Sequence, residues 1–170
     1  MNLPLHPMIV HVPIALAVLM PFLTAGLLLA IRRSWFRPRT WAIATAAQAV
    51  LVIGGMLAMR TGEADEERAE SVVPETAIEA HEEAAERFVW VSGVVLLASF
   101  LPLVLRGQGV KTWSQVITVI GTGVVFGLGI QVGHAGGELV YRHGAAAAFV
   151  GSGDGSTPAV TAPAHDDDDD

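Results

Sequence analysis

The sequence has no cysteine. That excludes disulfides, thiolate metal centres, iron–sulfur clusters and covalently attached c-type haem. Any metal or cofactor has to be held by histidine, carboxylate, methionine or backbone. Charge is also scarce: 16% of the 170 residues are Asp, Glu, Lys or Arg, while 52% are hydrophobic. The acids crowd into residues 63–86 and the C-terminal tail, leaving long stretches without one. The net charge is −7, so a nucleic-acid binder is excluded. A mean hydropathy of +0.50 with this charge pattern points to a membrane protein rather than a soluble domain.

Four apolar runs are present, at about 9–31, 41–59, 88–105 and 113–133. Each can cross roughly 30 Å of hydrocarbon at ~1.5 Å per residue. None contains Asp, Glu, Lys or Arg, and the one histidine inside them is His11, near the start of the first. The expected fold class is all-α, an integral membrane four-helix bundle occupying residues 1–148. Residues 149–170 run through Gly, Ser, Thr, Pro and Ala to five Asp and read as a disordered acidic tail.

Basic residues set the expected orientation. The first connection carries Arg32, Arg33, Arg37 and Arg39, and the third carries Arg106 and Lys111. The second has three basic residues among ten acids, and nothing basic precedes the first span. The first and third connections are therefore expected inside, with both termini and the acidic connection outside. The tryptophans agree: Trp35, Trp41 and Trp113 fall at the inner boundary and Trp90 at the outer one, as an aromatic belt would.

After Pro74 the run Glu75 to Arg87 is strongly helix-forming and meets no breaker before Phe88. The third span is thus expected to start near Pro74 and project from the membrane, with His81 about 10 Å outside Phe88 on nearly the same face. The fourth span holds Gly123/Gly127 and Gly129/Gly133, two small-xxx-small pairs that permit close helix approach. Gln48, Thr45, Thr118 and Thr122 read as hydrogen-bonding glue between helices.

Five of the six histidines converge on the expected outer face: His6, His11, His81, His134 and His143. The sixth, His165, lies in the tail. Three different helices contribute, so the group can meet in space. Gln131 and Glu138 flank His134 at i−3 and i+4, where they could orient its ring. His6 and His11 are five helical positions apart, which turns their side chains some 140° from each other unless Pro13 bends the turn.

The segment Leu5-His6-Pro7-Met8-Ile9-Val10-His11-Val12-Pro13-Ile14-Ala15-Leu16 resembles the opening signature of the bacterial family called domain of unknown function 2231. Gly136-Gly137-Glu138-Leu139-Val140-Tyr141-Arg142-His143-Gly144 resembles its closing signature, and His81 before the third span also fits. Val12 stands where the family often has Phe. The resemblance implies a small four-span protein of the bacterial cytoplasmic membrane and favours His6, His11, His81, Glu138 and His143 as residues that matter. It implies a fold and a location, not an activity.

The leading functional expectation is a b-type-cytochrome-like redox protein with one haem b near the outer leaflet. Non-covalent haem takes axial histidines from different helices. His11 and His134 are the expected ligands, with His81 as substitute, and Arg60, Arg87 or Arg142 would meet the propionates. Only one haem is implied, since no histidine lies on the inner half. The rival is an outer-face Zn, Cu or Fe site made of His6, His81, His134 and Glu138, with Glu63 or Glu82 nearby. A third reading is an accessory subunit without chemistry, whose polar cluster docks a partner. The expected surroundings are the lipid bilayer and, under the haem reading, a periplasmic or membrane redox partner.

Overall fold

A computed structural model describes residues 5–149, and the acidic tail beyond Phe149 lies outside the described residues. The chain forms α1 (His6–Ile9), α2 (His11–Arg32), a 3-10 turn (Pro38–Trp41), α3 (Ala42–Ala69), α4 (Glu75–Val104), α5 (Gln108–Tyr141) and a last 3-10 turn (Ala145–Phe149). Among the described residues there is no strand. Four helical stretches are long and apolar enough to cross a membrane: His6–Arg32, Pro38–Ala64, Glu75–Val104 and Gln108–Tyr141.

Local chemistry explains the breaks. Pro7 occupies the first turn of α1, where its missing N–H costs nothing. Pro13 cannot donate to the Ile9 carbonyl, and the ladder is interrupted at Val10. Val10 keeps right-handed helical angles, so α1 and α2 still run on as one span. At the other end of α2, Ser34 adopts a left-handed conformation with φ 59°, while Trp35 N–H closes onto the Ala30 carbonyl at 2.9 Å. This left-handed cap ends the helix and leaves Trp35 and Phe36 exposed.

The Glu/Ala-rich segment behaves as expected after Pro74 and more helically than expected before it. Pro74 is the extended N-cap of α4, which starts at Glu75. α3 does not stop where its apolar run ends but continues to Ala69, through residues of high helix propensity. The connection between the two is only residues 70–74.

The helices pack in a closed ring. α2 and α4 each lie against both α3 and α5, and among the described residues the backbones of neither diagonal pair come close. Ala17, Met20, Leu51, Phe88, Val95 and Val125 form the main apolar core, and Leu27, Trp41 and Ala44 a second one toward the basic end. The helices carry most of their large apolar side chains outward, among them Phe22, Trp90, Leu97 and Ile120. Their interior is unusually polar: Thr24, Gln48, Ser92, Ser99, Thr118 and Thr122 are all fully buried. Such an arrangement suits a bilayer, where lipid covers the apolar exterior and polar side chains bond between helices.

Those bonds are specific. Trp41 Nε1 and Thr45 Oγ1 both donate to the Ser99 carbonyl, at 3.0 and 2.9 Å. Gln48 Nε2 donates to the Ser92 carbonyl at 3.0 Å, and the Thr24 and Thr122 hydroxyls meet at 3.1 Å. Thr118 instead donates to Ser114 within its own helix. The glycine expectation needs correcting. Gly123, Gly127 and Gly133 face open space, whereas Gly121 packs on Val95 and Gly129 on Ala17 and Phe88. Gly121, Val125 and Gly129 share the buried face, and the expected pairs were drawn largely from the opposite one.

Candidate functional site

One end of the bundle gathers α1, the distal half of α3, the start of α4 and the end of α5. His6 reaches it from α1 because Pro7 and Pro13 hold that short helix against α3. Its ring is half-buried, and Nδ1 lies 2.8 Å from the Ala58 carbonyl. A carbonyl only accepts, so Nδ1 carries the proton in this bond. Thr61 stands 3.5 Å from the same nitrogen, but its hydroxyl is already placed to donate to the Leu57 and Ala58 carbonyls. Gly62 leaves room for the ring: a Cβ there would come 3.4 Å from its Cε1 and Nδ1.

His81 reaches the same place from α4. It sits seven residues before Phe88, on the buried face that continues through Ser92 and Val95. Its ring packs against the backbone of α5, where a Cβ on Gly136 would lie 3.1 Å from its Cε1. The Nδ1 atom is buried and has no hydrogen-bond partner among the described residues. The rings of His6 and His81 are 6.3 Å apart between centroids and nearly perpendicular, at 88°. His81 stands outside the apolar run of α4 that begins at Phe88. There the ring faces the His6 ring and the Val132 carbonyl of α5.

The structure brings together His6 and His81 and leaves the other histidines elsewhere. His11 is exposed on the outward face of α2, as the 140° rotation from His6 requires. His134 is 79% exposed, with Nε2 4.0 Å from Oε1 of Glu138. Glu138 also pairs with Arg142 at 3.3 Å, giving an exposed ladder along α5 beside a shallow groove lined by Gly133, Gly137 and Tyr141. His143 lies just past the end of α5. Arg87 is paired with Glu83, while Arg60 is exposed beside Ile53, Met56 and Leu57 and makes no ion pair among the described residues. The set His6, His81, His134 and Glu138 is thus split between the inside and the outside of the bundle. Among the described residues, no three His, Asp or Glu side chains are grouped to hold one ion.

No residue pattern signals the Ala58 and Val132 carbonyls, since any residue supplies one. Gly62 and Gly136 were visible only as small residues, not as the seats of two imidazoles. The segments that build this end lie at opposite ends of the chain, and one family model, described as a predicted membrane protein (DUF2231), matches residues 2–148. The chain belongs to this family. No curated protein and no solved structure matches it. The matched region takes in all four apolar helices and both histidines of the pair, so the family covers the whole described bundle and assigns it to a membrane.

Proposed function

We propose that this protein is a b-type-cytochrome-like redox protein of the bacterial cytoplasmic membrane, in which His6 and His81 would hold a single haem. The observation that carries the reading is the spacing of the two rings. With metal–nitrogen bonds of about 2.0–2.1 Å, an ion held between two imidazoles puts their centres up to roughly 6.4 Å apart. His6 and His81 stand at 6.3 Å. His6 is tied through Nδ1–H to a backbone carbonyl, the anchoring that ligating histidines use, and the buried Nδ1 of His81, beside Gly136, has no hydrogen-bond partner among the described residues.

Haem is favoured over a bare ion by the number of donors. A bare zinc or iron ion needs three or four protein ligands, and among the described residues no three His, Asp or Glu side chains are grouped to supply them. A porphyrin brings four nitrogens of its own and asks the protein only for axial ligands. Arg60 is the best placed of the three arginines for a propionate, because Arg87 and Arg142 already have carboxylate partners. The cation-rich connections lie at the opposite end, which supports placing the histidine end and both termini on the outer side.

The test is purification in mild detergent after expression with haem and metals supplied. Oxidised and reduced absorption spectra and an elemental analysis are recorded. A haem spectrum is expected, lost in His6→Ala and His81→Ala and retained in His11→Ala and His134→Ala. Retention in the first two variants would move the site elsewhere. Wild-type protein free of haem and metal, with His6→Ala merely less stable, would make the two imidazoles interhelical fasteners and end the redox reading.

A further inference from the structure

The end of the bundle opposite the histidine pair has a charge problem. Arg32, Arg33, Arg37, Arg39, Arg106 and Lys111 all lie in its two connections or in the helix ends beside them. No acid occurs between Met1 and Gly62 or between Phe88 and Gly137, so no carboxylate is near in sequence to neutralise them. Among the described residues none of the six makes an ion pair. The five arginines are exposed and Lys111 is half-buried. Six like charges around one end repel one another, and external anions must offset them.

The surroundings say what kind of anion. The cations do not stand on a polar surface. They form a ring directly beside exposed apolar side chains. Trp35 and Trp113 are each 69% exposed, and Phe36 is exposed between Arg33 and Arg37. The left-handed Ser34 presents this edge, and the Arg33 guanidinium stands 6.0 Å from the Trp35 ring centre. A ligand matching the pattern carries a negative head and an apolar body directly behind it. A soluble anion meets only half of that requirement. We propose that this end binds anionic phospholipids, their phosphates held by Arg37, Arg39 and Arg106 and their acyl chains laid against the girdle below Trp35 and Trp113.

This inference does not depend on what the histidine pair binds. It is tested with the full chain in nanodiscs of phosphatidylcholine alone or mixed with phosphatidylglycerol. The readouts are the thermal unfolding midpoint and the lipids retained after detergent extraction. Phosphatidylglycerol should raise the midpoint by a few degrees and be enriched among the retained lipids, and both effects should shrink as salt is raised. The combined Arg37→Gln, Arg39→Gln and Arg106→Gln variant should lose the enrichment. A Glu79→Gln, Glu83→Gln control at the other end should keep it. Should the triple variant not fold, the salt dependence of the wild type decides. Equal midpoints and no enrichment in the two lipids would overturn the proposal. So would inorganic phosphate reproducing the full stabilisation in phosphatidylcholine discs, which would make this an anion site without lipid selectivity.

Discussion

Gly136 on α5 and His81 on α4 are matched in shape: a Cβ at Gly136 would stand 3.1 Å from Cε1 of the imidazole. That is tighter than ordinary carbon contacts, so the ring would have to shift toward His6. Gly137, its neighbour, has open space around it. Gly136→Ala should therefore be less stable than Gly137→Ala by about 1 kcal/mol, since overpacking acts in the first and not in the second. Unfolding in detergent, compared between the two variants, checks this, and equal stabilities would show that the ring is not held where it is described.

Gly121 is the tighter seat. A Cβ there would meet Cγ2 of Val95 at 2.6 Å, and Val95 is buried and β-branched, with little freedom to turn away. Gly121→Ala should separate α4 from α5 locally and cost about 1–3 kcal/mol. Gly123→Ala and Gly127→Ala should be neutral or slightly stabilising, because a side chain meets nothing and glycine is a poor helix former. A thermal melt of the three variants separates the outcomes. A large loss at Gly127 instead would show that its open face is covered in the membrane by a partner.

Thr24 and Thr122 join α2 to α5 across 98 residues of sequence, yet the bond is expected to be weak. Thr24 Oγ1 also donates to the Met20 carbonyl and Thr122 Oγ1 to the Val119 carbonyl, each at 2.8 Å. The Pro21 carbonyl, 3.3 Å from Thr24 Oγ1, competes as well, so two hydroxyl protons face four bonds, and the interhelical one forms only when a backbone bond is given up. A double-mutant cycle with Thr24→Val and Thr122→Val should give a coupling of about 0.6 kcal/mol or less. A value well above 1.5 kcal/mol would mean the hydroxyls bond to each other in preference to their own helices.

Ser34 holds φ at 59° without being glycine. Left-handed backbone costs roughly 1 kcal/mol for a residue with a Cβ, partly offset by the greater freedom of glycine in the unfolded chain. Ser34→Gly should raise stability by up to about 1 kcal/mol, while Ser34→Val should lower it by more. Both are read as shifts in the unfolding midpoint. A loss on Ser34→Gly would mean that the side chain itself has a partner at the membrane surface.

The architecture was legible because hydropathy and length dictate it. The four apolar runs, the start of α4 after Pro74 and the interhelical bonds of Gln48 and Thr45 all follow from residues whose chemistry allows few alternatives. The inward faces were legible in principle too. In α2 the buried positions Pro13, Ala17, Met20 and Thr24 continue back to His6, which leaves His11 outside. In α5 the buried run through Thr118, Thr122 and Val125 points to Gly129 and Gly136, which leaves His134 outside. The 140° turn between His6 and His11 is of this kind, whereas membrane depth alone joins the inward His81 with the outward His134. What no sequence pattern supplies is the carbonyl of Ala58 or Val132, whose position depends on how α3 and α5 are rotated in the finished bundle.

Stiffness is distributed along the two diagonals of the ring. α2 carries Pro13 and Pro21, and α4 carries Pro102, each removing one rung of the backbone ladder. α3 and α5 contain no proline over 28 and 34 residues. The backbones of these two helices do not come close among the described residues, and α2 and α4 lie between them. A joint at Pro13, Pro21 or Pro102 would let α2 and α4 bend against α3 and α5, the posts. The histidine pair straddles this mechanical division: each imidazole is carried by a jointed strut, His6 ahead of Pro13 and His81 on α4, and each rests on a post, at Ala58 and at Gly136. Flexing of the struts would change the gap between the two rings while their supports stayed still.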